Sequence, residues 1–298
     1  MQTLTFPQTQ TTQPDMQMTV DKLCSASVRN YVNPWEMIQW EKEIDKCDWF
    51  TSPELISIYG TEVYESLTED QRKLLSFYEA VNFFSLNING EKPLVEGMVQ
   101  RMYRKSNAEI TPYLHHFVDE ENKHMLYFGN FCHRYAGKVY TDKKMTFGRE
   151  YEQGEEDFLF FAKVMIFEEL VDVYNLKMSL DKRIHPIARK INDLHHKDEA
   201  RHLVFGRKLV VQMYQQYAGK WSVSTREALK GYLADYIKAT WKEYYNPQVY
   251  RDAGIADYFD VYELAMSTRS QREHRKRVSA NCVKFLMDHN MIDKEPEL

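Results

Sequence analysis

Two short stretches of this chain pair a carboxylate with an imidazole at the same interval. Residues 120–124 read Glu-Glu-Asn-Lys-His, and residues 198–202 read Asp-Glu-Ala-Arg-His. In both, an acid precedes a Glu-x-x-His unit. An α-helix turns by ~100° per residue, so side chains three apart return to within about 60° of one another. Glu121 and His124 therefore converge beside one helix, and Glu199 and His202 beside another. A single such pair is weak evidence, because it arises by chance on solvated helices. Two copies facing each other supply two carboxylates and two imidazoles. With one further glutamate from each of two other helices, they make the donor set of a two-metal site in a bundle core.

The two missing carboxylates are expected about one helix hairpin upstream of each motif. Glu91 lies 30 residues before Glu121, and Glu168 lies 31 before Glu199. Glu79 and Glu96 are alternatives to Glu91. Glu169 competes with Glu168, and only one of these neighbours can point inward. His195 adds a seventh donor. It precedes Glu199 by four residues and His202 by seven, so all three share one helical stripe. The corresponding position before Glu121 is Phe117, which makes the expected site asymmetric. A core histidine bonded to a carbonyl is the alternative reading of His195. Metal-bound imidazoles usually donate their other N–H to a carboxylate or carbonyl. Asp198 is placed to orient His124, Glu120 to orient His202, and Arg201 to neutralise part of the buried charge. His115, His116, His133, His185, His196, His274 and His289 lack this spacing and read as structural or exposed.

The elements that must hold these residues are helices. Glycine (11) and proline (9) are scarce in the 298 residues and fall mostly at segment ends, which disfavours a sandwich or barrel. Four long helices are predicted, over roughly 75–105, 111–136, 155–180 and 186–217. Thr68 and Gln71 form a capping box before the first, and Gly90 and Pro93 are expected to kink or unwind it near Glu91. Short helices are predicted after Pro34 and Pro53, and two or three more within 223–292. The polar stretch 137–155 is the longest internal loop and is placed to cover a site. The fold class is all-α: a ferritin-like four-helix bundle with flanking helices. Residues 31–298 form one domain with its metal-binding core at about 70–217, preceded by a flexible polar tail over 1–30.

Composition narrows the functional classes. With 43% hydrophobic and 28% charged residues and a net charge of -5, the chain is read as soluble and cytoplasmic, with no nucleic-acid or membrane partner. The basic run 269–277 reads as a solvated helix face, and a docking patch for an acidic partner is the alternative. The four cysteines (24, 47, 132 and 282) are isolated and read as reduced thiols. A carboxylate-rich site with imidazoles suits iron or manganese better than zinc.

The pattern Glu91, Glu121-x-x-His124, Glu168, His195-x-x-x-Glu199-x-x-His202 resembles the diiron N-oxygenases of the p-aminobenzoate N-oxygenase (AurF-type) family over roughly residues 70–210. The third histidine is the feature that distinguishes that family from other ferritin-like carboxylate proteins. The resemblance implies two iron ions, O2 as co-substrate and an external electron donor, either a reductase or a small reductant. It implies conversion of a small-molecule amine to a hydroxylamine, and onward to nitroso or nitro products, by a homodimer in secondary metabolism. C–H hydroxylation on the same metal core is a second reading. An iron-storage or radical-generating ferritin-like protein is a third, with Tyr113 and Tyr127 as candidate radical tyrosines.

Overall fold

End signals in the sequence set most helix boundaries. The computed structural model describes residues 16–141 and 150–298. Its α-helices in chain order are α1 (Met16–Arg29), α2 (Glu62–Ser66), α3 (Glu69–Arg101), α4 (Thr111–Phe131), α5 (Glu155–Leu180), α6 (Pro186–Tyr217), α7 (Val223–Tyr244), α8 (Pro247–Asp252), α9 (Tyr258–Ser267) and α10 (Arg269–Asp288). Thr68 and Gln71 close the expected capping box before α3. Pro186 opens α6 behind His185, whose ring accepts from the Ile187 N–H. His185 is thus a helix cap. No sheet forms among the described residues, which contain one isolated bridge between Trp49 and Ile184.

Helices α3 to α6 are the ferritin-like four-helix bundle. The most extensive packing joins α5 to α6 and α3 to α4, and α4 meets α6 and α3 meets α5 across the two hairpins. The remaining helices flank this core. α1 lies on α4 and α6, α7 and α10 on α5, and α8 on α3. Helix α5 is consequently apolar on nearly every side, with Phe158, Phe161, Met165, Ile166, Leu170 and Tyr174 all buried, as a helix enclosed by neighbours must be.

Four expectations are corrected. The polar tail over 1–30 holds at most for residues 1–15, which lie outside the described residues. From Met16 the chain is helical, and Met16, Val20 and Leu23 are buried, because their spacing gives α1 an apolar edge that covers α4 and α6. The stretch after Pro34 forms turns and bends and no helix, and the signal at Pro53 yields one 3-10 turn, Pro53–Leu55. Helix α3 stays helical through Gly90 and Pro93, so the expected unwinding near Glu91 does not occur. Pro93 is exposed while Glu91, Leu94 and Met98 are buried, so the residue that cannot donate lies on the outer side of the helix. The C-terminal region holds one helix more than expected, α7 to α10. The loop expected over 137–155 falls partly on residues 142–149, outside the described residues.

Candidate metal centre

Each bundle helix contributes to one buried cluster. Glu91 comes from α3, Glu121 and His124 from α4, Glu168 from α5, and His195, Glu199 and His202 from α6. None of the seven is more than 3% exposed. Three overlapping groups have donor atoms within 4.8 Å of one another: Glu91 with His124 and His195, Glu121 with Glu168 and His202, and Glu121 with His124 and Glu199. Glu121 spans the two ends, with Oε2 3.6 Å from His124 Nδ1 and Oε1 2.9 Å from His202 Nδ1. Glu199 does the same, with Oε1 2.7 Å from His195 Nε2 and Oε2 3.5 Å from His202 Nδ1.

The alternatives separate cleanly. Glu79 lies on another face of α3 and accepts from the Ser57 N–H at 3.1 Å. Glu96 is exposed and accepts from the Gln100 amide at 3.2 Å. Glu169 pairs with Arg207 on α6. Glu91 and Glu168 remain, and both oxygens of each are buried without a hydrogen-bond partner among the described residues. A buried carboxylate with no donor costs several kcal/mol, by the order of magnitude for desolvated ions. Cations between these groups would remove that cost, so the donors fit a pair of metal ions.

Behind the cluster, the acid that precedes each Glu-x-x-His unit crosses to the opposite helix. Asp198 Oδ2 on α6 stands 3.2 Å from His124 Nε2. Glu120 Oε2 on α4 stands 2.8 Å from His202 Nε2. Arg201 donates to both Glu120 and Asp198. His124 and His202 therefore present Nδ1 inward and are held from behind by carboxylates. Burial favours the neutral carboxylic acid of Asp198, but the His124 and Arg201 charges outweigh it and hold the pKa down at about 2. Burial, then the neighbouring Glu121 charge, raises Glu91 well above the usual carboxylate range, and burial with Glu199 does the same to Glu168.

His195 presents its other nitrogen, Nε2, to Glu91 and Glu199. Its Nδ1 lies 2.9 Å from Asn175 Nδ2 on α5. Asn175 was missed in the sequence. Its signal is a polar stripe, Glu168, Asp172 and Asn175, at helical spacing on an otherwise apolar helix; Asp172 in turn meets His196 at 2.6 Å. At the position matching His195, Phe117 stacks on the His202 ring with centroids 3.7 Å apart. Phe128 adds an edge contact to His195 at 5.0 Å. These rings cover two of the three imidazoles with apolar surface. The hydroxyls of Tyr113 and Tyr127 are buried without a hydrogen-bond partner among the described residues.

A bundle that gathers four carboxylates and three imidazoles at its centre defines a ferritin-like protein of the dinuclear-metal class. The family model described as p-aminobenzoate N-oxygenase AurF matches residues 13–290, so the chain belongs to that family, whose members are oxidoreductases of the diiron type. The match extends far beyond residues 70–210 and takes in α1 and all the other flanking helices. Solved structures similar to this chain include an R2-like ligand-binding oxidase mutant with aerobically reconstituted Mn/Fe cofactor, at TM-score 0.44 and 16% identity over 91% of this chain and 94% of that one. Another is the R2-like ligand-binding oxidase from Sulfolobus acidocaldarius, at TM-score 0.42 and 16% identity over 98% and 97%. A comparison with curated proteins gave no match. Among the described residues, no helix is long and apolar enough to cross a membrane.

Proposed function

We propose that this chain is a non-haem diiron oxygenase that uses O2 to oxidise the nitrogen of an amine. The observation that carries this reading is the buried seven-donor cluster with its third imidazole, in a chain of the p-aminobenzoate N-oxygenase family. Glu91, His124 and His195 would hold one ion and Glu168 and His202 the other, with Glu121 and Glu199 between them. Four carboxylates balance the charge of two divalent ions, and oxygen with imidazole donors suits iron or manganese. Bound iron supplies electrons and open positions for O2 activation. The overall conversion is amine plus O2, two electrons and two protons to hydroxylamine and water, with the electrons drawn from an external reductase or a small reductant.

The protein's share is positional. Asp198 and Glu120 fix the ring orientation of His124 and His202. Phe117 and Phe128 keep the site dry, which protects reactive oxygen species from solvent protons. The test is incubation of iron-loaded, reduced protein with a panel of aryl and alkyl amines under oxygen. Gain of one oxygen on nitrogen by mass spectrometry is the expected result. Oxygen on carbon instead would make it a hydroxylase, and iron mineralisation without product would make it a storage protein; either outcome overturns the reading.

A further inference from the structure

The three imidazoles of the cluster are not held alike. His124 and His202 turn Nδ1 inward and are backed through Nε2 by the carboxylates of Asp198 and Glu120. His195 turns Nε2 inward, and behind it stands the neutral amide of Asn175. Carboxylates only accept hydrogen bonds, so Asp198 and Glu120 can pair only with N–H and leave the inward nitrogen as the lone-pair donor. An amide carries both a donor and an acceptor and does not make that choice by its chemistry alone.

Two arrangements are open to Asn175. In one, Nδ2 lies 2.9 Å from His195 Nδ1, and Oδ1 is buried without a partner among the described residues. Nδ1 is then the acceptor, so the ring proton sits on Nε2, which faces Glu199 Oε1 at 2.7 Å. In the other, the amide is rotated by half a turn. Oδ1 accepts Nδ1–H, its unmet acceptor is satisfied, and the Nε2 lone pair is free to bind a cation beside Glu91. The half-turn trades an unmet acceptor for an unmet N–H donor, each costing roughly 1–3 kcal/mol when buried, so the cation bound by the freed Nε2 lone pair decides between the two arrangements.

We propose that Asn175 is the positioning residue that selects the tautomer of His195, so that the ion at Glu91, His124 and His195 binds only with the Asn175 amide turned oxygen-first. Resting on the dinuclear reading above, this makes His195 the conditional donor of the three. It also makes the Glu91 end of the cluster the one whose occupancy α5 controls through a residue that touches no metal.

The experiment is titration of the metal-free protein with Co2+, followed by calorimetry and by the visible d–d spectrum, in wild type, Asn175→Leu and Asn175→Asp. Wild type is expected to take up two ions. Asn175→Leu, of similar size but without the amide, is expected to weaken one binding event about 10- to 100-fold, the range for removing a partner behind a metal-bound histidine, and to leave the other unchanged. Asn175→Asp, which can only accept, is expected to restore that event and the wild-type spectrum. The proposal is overturned if Asn175→Leu binds both ions as wild type does, if both events weaken together, or if the aspartate variant behaves like the leucine variant. Wild type binding fewer than two ions would overturn the dinuclear reading itself, and the proposal with it.

Discussion

Glu79 shows what a buried carboxyl does when no cation is nearby. It sits 7% exposed on α3 and is held by Ser57, whose hydroxyl also meets Tyr250 at 2.7 Å. Burial raises its pKa from an ordinary 4.5 to about 7, against the lowering effect of the Ser57 hydrogen bonds. The folded protein therefore holds this proton more tightly than the unfolded chain. Stability contributed by Glu79 is full below pH 4.5 and is lost as the pH rises to about 7. A shift of that size amounts to ~3 kcal/mol, at about 1.4 kcal/mol per pKa unit. Glu79→Gln keeps the acceptor toward Ser57 and removes the titration. Urea denaturation across this pH range should show a flatter dependence for the variant than for wild type, and parallel curves would refute the assignment. The charged partners behind the histidines act differently. Asp198→Ala should weaken metal binding about 10- to 100-fold by leaving His124 Nε2 unsupported, read as Co2+ affinity.

At the scale of the element, α3 carries two residues that a helix ordinarily avoids, and they have opposite roles. Gly90 leaves room for its neighbour, since a Cβ there would stand 2.7 Å from the tip of the Phe167 ring of α5, which would have to shift. Phe167 directly precedes Glu168 on α5, so the ring that fills the space over Gly90 belongs to the residue next to a cluster glutamate. Gly90→Ala gains about 1 kcal/mol in helix propensity but overpacks this contact at about 1–3 kcal/mol. Net destabilisation together with weaker metal binding is expected, and a variant that melts higher than wild type would contradict it. Pro93 is exposed, on the outer side of α3. Replacing it with alanine restores the bond to the Asn89 carbonyl. A gain of about 1–3 kcal/mol in urea denaturation is expected from the propensity difference.

For the whole molecule, the cluster ties the four bundle helices together by charge. With Glu91 and Glu168 lacking hydrogen-bond partners among the described residues, bound ions would offset a desolvation cost that the apolar core otherwise carries. Removing metal with a chelator should lower the melting temperature. At a hundredfold excess over Kd, each ion contributes about 2.7 kcal/mol, so two ions should separate the loaded and stripped proteins by about 10–20 °C at about 2–4 °C per kcal/mol. Restoring two equivalents of Fe2+ under anaerobic conditions should recover the loss. An unchanged melting curve would mean that the cluster does not bind metal.

Much of this was already written in residue spacing. The helical periodicity, the repeated acid-Glu-x-x-His unit and the hairpin-length interval to Glu91 and Glu168 determine an all-α bundle with inward carboxylates and imidazoles. The i, i+3 and i, i+4 intervals are local geometry, and local geometry survives without knowledge of the fold. Hairpin length favours Glu91 over Glu79 and Glu96 but does not exclude them, and it leaves Glu168 and Glu169 open, because only the partner helices decide which face turns inward. It missed Asn175, which meets His195 across two helices, it allowed for unwinding at Pro93 where α3 stays helical, and it read the residues of α1 as part of a polar tail. Those outcomes depend on contacts between residues far apart in sequence, and only tertiary structure brings such residues within reach.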